Sequence, residues 1–280
     1  MIRTGMRRLL VAFTCLTVLA FVALFLGAAR TEDYFAWTIQ PPTTAAFLGA
    51  AYGAGCVMVV LALRAGHWSA AQIPYLAVLV FTMATLLATL LHLDRFHLAA
   101  DGLVARAAAW IWLAVYVVVP LTMAVLLARH RLRPADAGEH ADEAVPMPTW
   151  LSVALAAQGV VFVGVGLALY LVPASEAVLW PWTLTPLTGR AVASWLLAFG
   201  LAAMLAIRVR DLRPLRVIAA AYGALVVLEL VVVLRFADTL RWRAPATWVF
   251  LGVALAMLAT AAAGLRPRAH VRPAAVHGAR

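Results

Sequence analysis

Eight uninterrupted apolar runs constrain this chain more than any other feature. They cover residues 9–29, 44–63, 71–92, 107–128, 150–172, 187–207, 215–234 and 246–265. A run of about 18 or more apolar residues is long enough to cross the hydrocarbon core of a bilayer. Lipid offers no partner for an unpaired backbone N–H or C=O, so each run must close its hydrogen bonds internally, as a helix. Composition agrees: of 280 residues, 65% are hydrophobic and 12% charged, more apolar surface than a soluble domain of this size can bury. The expected fold class is an all-α integral membrane protein with eight transmembrane helices. The first run follows a basic stretch, Met1–Arg8, and precedes "GAARTED", which has the look of a cleavage site. The run is longer than a signal-peptide core and reads as a retained anchor.

The net charge of +10 follows from topology. Arg and Lys favour the cytoplasmic side of a membrane. With the N-terminus inside, the inner segments hold 15 of the 22 basic residues, and Glu32, Asp33 and Asp94 offset some of the outer ones. Both termini are therefore expected in the cytoplasm, in a bacterial plasma membrane. The Arg-rich inner loops would attract anionic lipid headgroups, and nothing in the charge calls for nucleic acid. Cys15 and Cys56 both lie inside apolar runs and read as small core residues.

A second feature is repetition. "AWTIQPPTTAAF" (36–47) returns about 145 residues later as "PWTLTPLTGRAV" (181–192). Weaker echoes follow in the same order: "LALR" (61–64) with "LAIR" (205–208), "RF" (95–96) with "RF" (235–236), and "WIW" (110–112) with "WVF" (248–250). An acid, Glu32 or Glu176, precedes each Trp-Thr. The chain thus divides into two parallel four-helix repeats, 1–128 and 150–265, joined by a charged cytoplasmic linker (129–149) and followed by a basic tail (266–280).

Each repeated phrase stands where the chain re-enters the membrane from outside. Pro suits a helix start, Thr can cap it, and Trp37 and Trp182 suit the headgroup layer. A sharper possibility uses the positive ends of two converging helices: Thr43, Thr188 and Arg190 would seat an anionic group there. Within the spans, Glu229 is the one acid well inside an apolar run, and such a residue normally faces the bundle interior or a water-filled cavity. Thr82, Thr85, Thr89 and His92 share one helical face. Glu229 with His92 is expected to form a proton-sensitive pair, with Arg95 and Arg235 either pairing with the acid or favouring an anion. His92, Asp94 and His97 have residue types that suit zinc but spacings that do not share a helix face. The glycines of "QGVVFVGVG" (158–166) suit close helix packing. Hydrolase, metalloprotease and phosphate-loop signatures are absent from the sequence, and no cofactor is called for.

"FAWTIQPPTTAAFLGAAY" together with "LHLDRF" resembles polytopic membrane proteins of high-GC Gram-positive bacteria that carry no assigned activity. The resemblance implies the membrane class and brings no site residue with it. The leading expectation is transport or binding of a small anionic solute between the repeats, in the outer half of the bilayer. The alternatives are a non-catalytic assembly factor or subunit, in a homo-oligomer or with a membrane-protein partner, and an enzyme acting on a lipid-linked substrate at the outer leaflet through Asp94 or Glu32 and Asp33.

Overall fold

The computed structural model describes residues 4–66, 68–131, 147–209 and 212–266. Most of the linker and nearly all of the basic tail expected from the sequence lie outside these residues. Eight helices are long and apolar enough to cross a membrane: α1 (Thr4–Leu26), α2 (Pro42–Ala65), α3 (Ala70–Leu91), α4 (Leu103–His130), α5 (Thr149–Leu171), α6 (Pro186–Arg208), α7 (Leu215–Arg235) and α8 (Pro245–Leu265). This is a multi-pass membrane protein. The helices begin and end within a few residues of the apolar runs. The largest shift is at α1, which starts five residues before its run because Arg7 and Arg8 stay helical as the chain leaves the hydrocarbon.

The helices form two shells. In α2, α3, α6 and α7 between 56% and 67% of the spanning window is buried, whereas in α1, α4, α5 and α8 it is 22% to 33%. The inner four interlock across the middle of the sequence. α2 packs on α7, and α3 packs on α6. The outer helices lean on their sequence neighbours: α1 on α2, α4 on α3, α5 on α6 and α8 on α7. A single hydrophobic cluster draws residues from all eight helices.

Helices in lipid gain little from the hydrophobic effect against one another, so close backbone approach and interhelical hydrogen bonds hold them together. A Cβ at Gly49 of α2 would stand 2.4 Å from the backbone nitrogen of Phe25, in the widened last turn of α1. A Cβ at Gly200 of α6 would meet Val163 Cγ2 at 2.8 Å and the Gly159 carbonyl at 3.1 Å, so the glycine run of α5 packs closely, as its spacing predicts. Tyrosines pin other pairs: Tyr75 donates to the Met123 carbonyl (2.9 Å), Tyr222 to the Phe199 carbonyl (2.9 Å), and the Tyr52 and Tyr116 hydroxyls meet at 2.6 Å.

Gly49→Ala forces a methyl group against backbone that cannot swing aside. It is expected to destabilise the protein by about 2 kcal/mol, read as a lower Tm of the detergent-solubilised protein. Gly252→Ala, where a Cβ meets nothing within 4 Å, is expected to leave Tm unchanged.

Candidate functional site

The two copies of the Trp-Thr phrase are irregular backbone before the N-terminal ends of α2 and α6, and each is tied to a further loop at the same end of the bundle in the same way. His97 N donates to the Ala36 carbonyl at 2.9 Å, and Arg241 N to the Pro181 carbonyl at 2.8 Å. The side chains repeat the gesture: His97 Nδ1 donates to the Phe35 carbonyl (2.9 Å), and the Arg241 guanidinium to the Trp180 carbonyl. Trp110 Nε1 donates to Leu98 O (3.2 Å) and Trp248 Nε1 to Trp242 O (3.1 Å). Three rings pack mutually in each place, Phe35, Trp37 and Trp112 with centroids 4.9 to 5.5 Å apart, and Trp180, Trp182 and Phe250 at 5.3 to 5.8 Å.

The turn from the His92 carbonyl to Arg95 N has the same form as the turn from the Phe236 carbonyl to Thr239 N. Arg95 follows the end of α3 within its turn, whereas Arg235 is the last residue of α7.

Three of the expected ligands, Thr43, Thr188 and Trp182, have side-chain hydrogen-bond partners within the protein. Thr43 Oγ1 lies 2.6 Å from Thr239 Oγ1. Thr188 caps its own helix reciprocally with Thr185: Thr188 N donates to Thr185 Oγ1 (3.3 Å), and Thr185 N to Thr188 Oγ1 (2.9 Å). Trp37 and Trp182 are 3% and 1% exposed, packed beneath the loops, whereas Trp110, Trp242 and Trp248 are exposed. Trp182 Nε1 donates to Thr44 Oγ1 at 2.9 Å, across the middle of the sequence, while Trp37 Nε1 is buried without a partner.

The arginines divide sharply. Arg235 donates to the Phe25 and Leu26 carbonyls (2.6 and 3.3 Å), so it caps the end of α1. Arg95 pairs with Asp94 at 3.1 Å, both largely in solvent, a contact of little energetic weight. Arg190, on the first turns of α6, reaches across to His92 at the C-terminal end of α3, with Nη1 2.7 Å from His92 Nε2. A guanidinium only donates, so the imidazole is neutral and accepts at Nε2. Arg190 Nε is buried without a partner, and among the described residues no acid pairs with this arginine. Burial, and then Arg190, hold His92 below the ordinary imidazole range; Asp94 opposes this and Arg95 adds to it. His97 spends Nδ1 on Phe35 O and lies 3.1 Å from Thr38 Oγ1 through Nε2. No cluster of three or more metal-ligating side chains occurs among the described residues, so His92, Asp94 and His97 are not gathered as ligands.

The expected Glu229–His92 pair is not formed. Glu229 is buried on α7, and neither carboxylate oxygen has a hydrogen-bond partner, from Arg95, Arg235 or any other described residue. It lines an apolar cavity of about 90 Å³. The Thr stripe of α3 is buried and mostly satisfied locally: Thr82 donates to Val78 O (2.9 Å), and Thr89 to Thr85 O (2.8 Å) while accepting from Trp112 Nε1 (3.1 Å). Thr85 Oγ1 alone has no partner. A second apolar groove, of about 550 Å³, runs between α1 and α4.

Sequence reasoning overlooked Arg241. Besides the Trp180 carbonyl, it donates to Glu176 O (2.9 Å) and Trp182 O (3.4 Å), and it lies 3.7 Å from the Glu176 carboxylate. The acid preceding Trp-Thr was the available signal: Glu176 also accepts from Leu184 N at 3.3 Å. No family model, curated protein or solved structure matches the chain.

Two outcomes follow. Trp182→Phe keeps the ring packing but leaves the Thr44 hydroxyl buried and unpaired, at a cost of about 1–2 kcal/mol, whereas Trp37→Phe deletes an N–H that has no partner and is expected to cost less; paired Tm measurements check this. The His92 imidazole, lowered in the folded state, is stabilising as the neutral form above about pH 6.5. That contribution is lost as pH falls through its lowered folded value. The fall in Tm between pH 7.5 and 5 is expected to shrink in His92→Gln.

Proposed function

We propose that the chain resides in a bacterial cytoplasmic membrane as two parallel four-helix repeats with both termini cytoplasmic, and that it binds and passes a small anionic solute between the repeats in the outer half of the bilayer. The repeat is supported by the matched bonds of the two outer loops and by the matched packing of α2 on α7 and α3 on α6. The Arg-rich inner segments support the orientation and contact with anionic lipid headgroups.

The single observation that carries the solute reading is the Arg190–His92 pair. A fixed cation lies 2.7 Å from a titratable imidazole, at a contact between the halves and with no acid paired to it among the described residues. Protonating His92 turns its one acceptor into a donor and sets two cations face to face. An anion between them removes that repulsion and accepts from both. Anion and proton therefore bind together: each raises the affinity for the other. The groups facing His92 are Arg190, Asp94 and Arg95. Tyr170, whose hydroxyl donates to the Ala84 carbonyl (2.6 Å), lies on the Arg190 side.

The test is calorimetric titration of the detergent-solubilised full chain with sulfate and with chloride at pH 5.5 and 7.5. Affinity is expected to rise by up to about tenfold per pH unit on acidification while His92 is neutral in the free protein. Arg190→Gln is expected to abolish binding, and Arg95→Gln to leave it intact. Absence of anion binding at either pH overturns the reading. It would favour the second one, a non-catalytic membrane subunit, which draws on the apolar walls of the cavity at Glu229.

A further inference from the structure

Glu229 has a place in the structure and no partner. It is 5% exposed, both carboxylate oxygens lack a hydrogen bond, and it lines the cavity of about 90 Å³. An ionised carboxylate in apolar surroundings needs a counter-charge, and a protonated one needs an acceptor. The protein supplies neither among the described residues. Of the arginines at this end of the second half, Arg235 is engaged with backbone carbonyls at the end of α1, Arg241 with those around Trp180 and Trp182, and Arg190 with His92.

The walls of the cavity are aromatic. Phe47, Trp180, Trp195, Phe199 and Phe250 line it together with the acid. Aromatic faces attract cations, most strongly where water is excluded, and ring cages of this kind recognise substituted ammonium groups. The remaining lining residues include Leu179, Val161 and Val249, which are exposed on the outer helix shell and on the loop before α6. The cavity therefore opens sideways, between α5 and α8, where the surroundings are lipid. Glu229 lies about one and a half turns, roughly 9 Å, below Arg235.

We propose that this cavity binds an organic ammonium group carried on an apolar tail and entering from the outer leaflet, with Glu229 as its counter-ion and the surrounding rings as its cage. The occupant is a lipophilic amine rather than a neutral lipid chain, because a hydrocarbon occupant leaves the carboxylate unpaired. The site shares no residue with the Arg190–His92 pair. It is specific to the second half: counted from the matched loops, the position of Glu229 on α7 corresponds to Thr85 on α3, and the groove between α1 and α4 has no acid in its lining.

The test compares n-octylammonium with n-octanol, two probes with one tail and different head groups, on the full chain in nanodiscs. Quenching of tryptophan fluorescence and the shift in Tm are the readouts. Octylammonium is expected to bind saturably, about tenfold or more tighter than octanol. Glu229→Gln is expected to erase that preference. Val249→Trp, which fills the mouth while keeping the acid, is expected to abolish binding of both probes to the site. Arg190→Gln is expected to leave the amine preference intact, which separates this site from the anion site. Equal binding of the two probes, no saturable binding, or a preference that survives Glu229→Gln overturns the proposal. The comparison on the unmodified protein stands even where a variant fails to fold.

Discussion

The end of the bundle where α2 and α6 begin depends on one constraint: non-helical backbone leading into an apolar helix must be hydrogen-bonded by protein. The segments before α2 and α6 meet it through His97 and Arg241, which use both backbone and side chain to hold the carbonyls of residues 35–36 and 180–181. Once these are fixed, the rest follows. The indoles of Trp37 and Trp182 are drawn under the loops, each with two further rings against it. The first turns of α2 and α6 are carried towards the loops at the ends of α7 and α3, so that Thr43 meets Thr239 and Arg190 meets His92.

Charge is distributed by the same logic. Arg235 and Arg241 satisfy carbonyls, and their positive charge is absorbed in structural work. Arg190 finds only a neutral imidazole, and Glu229 finds nothing. Tyr75, Tyr222, Thr89 and Trp182 find partners for their polar atoms. Among the described residues with an unpaired buried polar atom, Glu229 stands apart because both of its carboxylate oxygens are unpaired, and Arg190 because it faces an imidazole. Uncompensated polar groups in a dry interior are costly, and the two sites are read from that cost.

The spans were legible in the sequence because hydrocarbon thickness imposes a length and forbids polar interruption; α2, α6 and α8 begin one or two residues from the ends of their apolar runs. The close approach of α5 to α6 was legible for a similar reason, since Gly159 and Gly200 leave room that only another backbone fills. The partners of the site residues were not. His92 and Arg190 stand 98 residues apart, and no periodicity links them. Trp37 and Trp182 look like headgroup residues by composition, and only the fold of the loops over them reveals their burial.

The interlocking of α2 with α7 and of α3 with α6 has a consequence for ancestry under the proposed repeat. Two identical four-helix chains arranged about a two-fold axis would make one such contact twice, as an interface between subunits. Every side chain in such a dimer occurs in duplicate, so an acid at one position is present twice and doubles the burden of uncompensated charge. Joining the copies into one polypeptide removes that obligation. One half can then keep a threonine where the other acquires Glu229, and a symmetric scaffold gains a single, directional chemistry.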